Sequence, residues 1–254
     1  MTIKEHTRHF KALPLGMRVL FSGTLIVLGT GYLFAMIYIF ESHAGRDGKP
    51  GLSVNDLIIA YSGSKSDTKL ESALHGPMAN MLPADEKHKI IAWVRRGAAE
   101  ADFKSSGVEG IVERRCLICH NGSNPHIPNL TGYEGITKVA QADTGMDIFT
   151  LVRVSHIHLF GITFIFFIVG SIFIHAYIRP QWLKCITLIT PFIAILADIG
   201  SWYLTKLYQP FAWVVMISGA LMGLAFAFMW ITSMYQMWFY RMPPELIEND
   251  GRVS

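Results

Sequence analysis

Four long apolar stretches constrain this chain more than any other feature. Val19 to Phe40 runs about 22 residues without a charge, enough to cross a bilayer. Three further runs follow late in the chain, from Ile148 to about Ile178, Cys185 to about Tyr203, and Phe211 to about Tyr240. Of the 254 residues, 51% are hydrophobic and only 16% charged, and the charges gather between these runs. The pattern predicts an all-α membrane protein with four transmembrane helices. The first run is long for the core of a signal peptide and reads as a retained helix. Residues 1–18 are basic, with Lys4, Arg8, Lys11 and Arg18 beside His6 and His9. Arg179, Lys184 and Arg241 fall on the same side, leaving Lys206 opposite. By the positive-inside rule both termini are cytoplasmic. Trp182, Trp202, Tyr203, Tyr208, Trp213, Trp238 and Tyr240 fall near span ends, as interfacial aromatics do. The layout is then 1–18 cytoplasmic, 19–40 helix one, 41–148 an insert on the outer side, 149–240 a three-helix membrane region, and 241–254 a cytoplasmic tail. No basic stripe with interleaved aromatics appears, which excludes nucleic acid as a partner.

The insert opens with a Gly-, Asp- and Pro-rich loop, Glu41 to Gly51. A helix is expected over 68–74. A second begins at Pro83-Ala84-Asp85-Glu86, with Pro and acids in its first turn, and ends near Gly97. A third covers 108–115 and a fourth 133–142. This is a small, mostly α domain inserted between helices one and two.

Within it stands Cys116-Leu117-Ile118-Cys119-His120, the attachment pattern of c-type haem. Two thiols add across the haem vinyl groups as thioethers, and the adjoining His reaches the iron. A zinc site would need two more ligands at similar spacing, and the sequence has no second Cys pair. A redox dithiol is the other ordinary use of such a pair. The third cysteine, Cys185, falls near the start of a span, so no disulfide framework is implied.

The insert resembles class I cytochromes c with its segments in permuted order. Gly76-Pro77-Met78 followed by the helix carrying Ile90, Ile91, Trp93 and Val94 is similar to their Met loop and closing helix, and 108–115 to their opening helix. The resemblance implies one covalent haem c, held by Cys116 and Cys119 with His120 as proximal ligand. It implies a distal ligand upstream, with Met78 the first candidate and Met81 the second; Met146, His75, His88 and His126 stay open. The commoner role of any one Met is core packing. Trp93 and Tyr133 are expected against the haem and Asn129-Leu130-Thr131 at its edge. Covalent haem further implies a bacterial inner membrane with the insert in the periplasm.

Ionisable residues inside spans are costly and point to function by default. Helix two carries His156, His158 and His175, and helix three carries Asp198. With a rise of about 1.5 Å per residue, His158 and Asp198 both fall roughly 12 Å below the outer surface and are able to meet. A structural tie between helices ranks first. A quinol site, in which a His–carboxylate pair takes protons, ranks second. A copper site at His156 and His158, or a b-type haem with a ligand from a partner subunit, ranks third. Helix four combines Gly219-x-x-x-Gly223 with a Met stripe, a pattern for close helix packing. The run Ala140 to His158 resembles cytochrome-bearing bacterial membrane proteins.

The expected function is electron transfer through one haem on the outer face of the membrane. The chain reads as an electron carrier or subunit of a larger respiratory redox complex more than a stand-alone enzyme. A quinol-oxidising subunit and an assembly subunit with a non-transferring haem are the alternatives.

Overall fold

The computed structural model describes residues 7–64, 67–125, 127–241, 243–244 and 252–253. The chain is all-α. Four helices of 26 to 29 residues are long and apolar enough to cross a membrane: α1 (Leu15–His43), α8 (Ile148–Phe173), α9 (Gln181–Leu207) and α10 (Ala212–Trp238). This is a multi-pass membrane protein. Short helices lie between α1 and α8: α2 (Val54–Ser62), α3 (Lys69–His75), α4 (Ala84–Arg95), α5 (Glu100–Ser105), α6 (Val108–Ile111) and α7 (Gly132–Thr137). β pairing among the described residues is slight: an antiparallel pair two residues long, Thr7–Arg8 against Arg252–Val253, within the segments expected to be polar termini, and one isolated antiparallel bridge between Thr68 and Ala142.

The chain divides into two compact units. The first comprises residues 1–37, 149–202 and 213–254, the second residues 38–148 and 203–212.

In the first unit α1 is almost entirely exposed, with Leu25 its one buried residue. An apolar helix without protein cover is solvated by lipid tails as readily as by Leu side chains. It is fixed at a few points. The Trp230 indole N–H donates to the Leu25 carbonyl at 2.7 Å, and Tyr32 stacks on Phe226 with centroids 4.2 Å apart. Gly29 lies under the Trp230 ring, where a Cβ would meet Nε1 at 2.8 Å. One end of this bundle is closed by a polar plug. His9 is fully buried and shares a hydrogen bond with Gln236 at 3.1 Å. Gln236 in turn accepts from the Tyr177 N–H and donates to its carbonyl. His175 is hydrogen-bonded to the Arg8 carbonyl at 2.7 Å. Burial holds His9 below the ordinary imidazole pKa; the bond to Gln236 opposes this, and Lys11, His175 and Lys184 reinforce it. Lys184 caps the end of α8, its Nζ 2.7 Å from the Ile174 carbonyl, as a cation suits a helix C-terminus.

The second unit has its own apolar core, in which Leu70, Leu74, Ile90, Trp93, Phe103, Val108, Ile111, Leu130 and Ile136 are buried together. Two of its helices begin with reciprocal capping boxes, Ser53 with Asp56 on α2 and Thr68 with Glu71 on α3. Glu71 also accepts from Arg95 Nε at 2.8 Å, tying α3 to α4. α4 stops at the left-handed pair Gly97 (φ +95°) and Ala98 (φ +51°). Two side chains pin that turn: Trp93 Nε1 donates to Ala99 O at 3.0 Å, and the Tyr133 hydroxyl to Ala98 O at 2.9 Å.

The helix expected over 133–142 ends at Thr137. Beyond it the chain runs beside the start of α3. There the Lys69 and Leu70 N–H groups donate to the Gln141 and Val139 carbonyls at 3.1 and 2.8 Å. Orphan donors of a first turn are satisfied this way instead of by continuing α7. A tight crossing closes the unit. Gly63 (φ +85°) and Gly145 (φ +69°) press backbone on backbone, so that a Cβ on either would overlap the Asp143 or Tyr61 carbonyl. Into the same place Lys206 extends from the end of α9. Its Nζ donates to the carbonyls of Tyr61 (2.8 Å), Thr144 (3.0 Å) and Met146 (2.7 Å).

Candidate functional site

The cysteine pair leaves a distorted helix. α6 widens into one π-helical segment, Val112–Cys116, and Leu117 N donates to Val112 O at 3.0 Å. The next turn closes with His120 N donating to Cys116 O at 2.8 Å. Residues i, i+3 and i+4 share one face of a helical turn, so Cys116, Cys119 and His120 are presented together. Cys116 and Leu117 pack against the core of this unit, whereas Cys119 is exposed and Ile118 is 74% exposed. The two sulfurs are not joined as a disulfide.

His120 is oriented by the loop that follows. Leu130 N donates to His120 O at 2.9 Å and brings the two ends of the loop together. Gly122 (φ +87°) permits the turn under Asn129. Within it, His120 Nδ1 lies 2.8 Å from the Pro128 carbonyl. A carbonyl only accepts, so Nδ1 carries the proton and Nε2 keeps its lone pair. Metal-binding imidazoles are commonly fixed by such a bond from the opposite nitrogen. Asn129 Oδ1 accepts from Thr131 N and Oγ1, holding the end of the same loop.

Charged groups brace the motif from α4. Glu86 accepts from Arg115 Nε at 3.0 Å, with Arg114 4.0 Å away. Burial, helped by Glu86, pushes the Cys116 thiol above its ordinary pKa. Redox-active dithiols need the opposite shift, toward thiolate.

The candidate distal ligands separate by environment. Met78 packs against the same core as Cys116, while Met81 is 65% exposed. Met146 has both backbone groups engaged, its N–H with Ala60 and its carbonyl with Lys206. His75 is half-buried and His88 exposed; His126 lies outside the described residues. Trp93 is fully buried, its ring 5.3 Å from Phe103, and belongs to the core.

The membrane residues are arranged differently from a direct His–Asp pair. His158 Nδ1 is hydrogen-bonded to Val154 O at 2.9 Å, and its ring stands edge-on to Trp202, centroids 5.4 Å apart. Asp198, 8% exposed, lies four residues before Trp202 on α9 and shares a helix face with it. Trp202 therefore links His158 to Asp198. His156 is exposed and contacts Phe160 instead, so the two histidines do not converge. Among the described residues no group of three or more His, Cys, Asp or Glu side chains gathers as a metal site.

A family model described as a transmembrane helical domain matches residues 137–244, which take in α8, α9 and α10. Neither the curated proteins nor the solved structures give a match to the chain.

Proposed function

We propose that this chain is a membrane-bound c-type cytochrome that carries electrons through one haem linked to Cys116 and Cys119. The observation that carries the reading is the state of His120: its Nδ1 is committed to Pro128, so Nε2 is the nitrogen left to bind iron, on the turn that also presents both thiols. The haem would supply a reversible ferric–ferrous couple. The protein's own part is to fix and tune it. The π-helical segment and the turn after it aim two thiols and an imidazole to one side, and the 120–130 loop holds the imidazole tautomer. Met78, packed against the same core as Cys116, is the distal ligand in this reading; a thioether there raises the potential.

The insert belongs on the outer, periplasmic side of a bacterial inner membrane, with both termini in the cytoplasm. The basic residues support that orientation. Lys206, on the other side, is held locally by three carbonyls. Four spans exceed what an anchor needs, which favours a place among the subunits of a larger redox complex.

The test is expression of the full chain with a c-haem attachment system, followed by a pyridine haemochrome spectrum and haem staining after denaturation. One covalent haem per chain is expected, lost in the Cys116→Ala/Cys119→Ala double variant. Met78→Leu should lower the reduction potential and remove the sulfur-to-iron absorption band; Met81→Leu should change neither. A purified chain without covalent haem and with two titratable thiols at Cys116 and Cys119 would overturn the reading.

A further inference from the structure

The group on α8 and α9 has a chemistry that helix packing does not use up. Two acceptors meet one indole. His158 has its Nδ1 engaged by Val154 O at 2.9 Å, which leaves the Nε2 lone pair open. Asp198 is 8% exposed and, among the described residues, forms no ion pair. Trp202 touches the imidazole edge-on at 82° and lies one helical turn from Asp198 on the same face of α9. His158 lies ten residues from the start of α8 and Asp198 nine from the end of α9, roughly 14 Å along each helix and well inside a span. A carboxylate at that depth is expensive and calls for a partner.

The arrangement restricts what such a partner is. Two acceptors, with no Lys or Arg within four residues of either on its own helix, do not suit an anion. One imidazole with one carboxylate is too few for a metal centre, and no third ligand joins them among the described residues. A flat indole beside the acceptors suits an aromatic ring. His158 itself is only half-buried, so an apolar ligand would approach it from the lipid. A lipid-soluble aromatic molecule with two hydroxyl donors is a hydroquinone.

We propose that His158, Trp202 and Asp198 form a site that binds a membrane hydroquinone and accepts its protons. The electron half of this proposal rests on the c-type haem reading above. Each hydroquinone loses two O–H protons and two electrons and leaves as the quinone. One proton goes to His158 Nε2 and one to the Asp198 carboxylate, and both are passed on to water. Two one-electron oxidants of the ferric c-type haem class take the electrons, or one haem does so twice, reoxidised in between by an external acceptor.

The test uses the full haem-loaded chain in lipid nanodiscs, with short-chain ubiquinol and short-chain menaquinol as probes. Haem reduction is followed by visible absorption. His158→Gln and Asp198→Asn should each slow it by ~100-fold, the scale of lost acid–base assistance, while dithionite reduces every variant alike. His156→Gln, on another side of α8, should stay within about twofold of wild type. A second readout needs no haem. Infrared difference spectra on adding the oxidised or reduced probe should show a perturbed carboxyl band that Asp198→Asn removes, and the Cys116→Ala/Cys119→Ala chain should show it too. A haem-loaded chain that neither quinol reduces, or variants with wild-type rates, would overturn the site and leave the cytochrome reading standing. A chain without haem would overturn the cytochrome reading; the infrared band then decides the site, and its absence rejects it.

Discussion

His120 spends one ring nitrogen on the protein and keeps the other. That division depends on Pro128, eight residues later, and on the loop that Leu130 N closes onto His120 O. The Cys-x-x-Cys-His pattern is legible in the sequence because its chemistry is local and covalent. The Pro128 partner is not, because it arises only when a ten-residue loop folds back. Glu71 presents the same contrast. The Thr68-x-x-Glu71 spacing is a readable helix start, but the bond to Arg95 crosses to another helix. Burial works against the Glu71 charge, yet the Thr68 N–H, Arg95 and the Thr68 hydroxyl together hold its carboxyl below the ordinary value. A depressed carboxyl pKa means that folding favours the ionised form. The contribution is therefore full above the ordinary glutamate value of 4.5 and is lost as pH falls from there through the folded value. Glu71→Gln should cost about 1 kcal/mol at neutral pH, as for a lost cap, and that difference should vanish in acid. Thermal unfolding of both proteins between pH 7 and pH 3 measures it; an unchanged gap in acid would count against this account.

At the scale of elements, long spans were readable and short helices less so. Twenty apolar residues leave few alternatives, and each span is found within a few residues of its expected limits, except that α8 stops at Phe173 instead of near Ile178. α2 and α5 are nine and six residues long and went unforeseen. The Ser53-x-x-Asp56 capping box was available as a signal for α2; α5 has no side-chain cap to announce it. The π-helical segment before Cys116 has no sequence signature at all. Neither has the crossing of Gly63 over Gly145, which brings together residues 82 apart in the chain. That crossing and Lys206 make one joint. Gly63→Ala or Gly145→Ala puts a Cβ into a carbonyl at a left-handed φ and should destabilise the unit by more than about 2 kcal/mol. Lys206→Met keeps the stem and removes three charge-assisted bonds. It should speed amide exchange at Gly63, Gly145 and Met146 while leaving α4 and α6 protected. Hydrogen-exchange mass spectrometry reads this directly, and uniform protection in Lys206→Met would show that the carbonyls find other partners.

For the whole molecule, the charge pattern and the proposed chemistry make the same demand on orientation. Covalent haem c is attached on the outer side of a bacterial inner membrane, so the segment holding Cys116 must cross it. The N-terminal basic residues, Arg179, Lys184 and Arg241 must then stay in the cytoplasm. Lys206 looks like a vote for the other orientation when residues are only counted. Its grip on three carbonyls accounts for its presence on structural grounds, so it does not weigh against the basic residues of the N-terminus, the Arg179–Lys184 turn and Arg241. Single cysteines test the orientation in a Cys116→Ala/Cys119→Ala/Cys185→Ser background, since Cys119 and Cys185 are exposed and would react on their own. Lys49 and Gln181 are both exposed and lie on opposite sides in this layout. In intact spheroplasts a membrane-impermeant maleimide should label Lys49→Cys and should reach Gln181→Cys only after the membrane is opened. The reverse pattern would place Cys116 in the cytoplasm. There the attachment chemistry is unavailable, so a single labelling experiment is able to reject the cytochrome reading before any spectrum is taken.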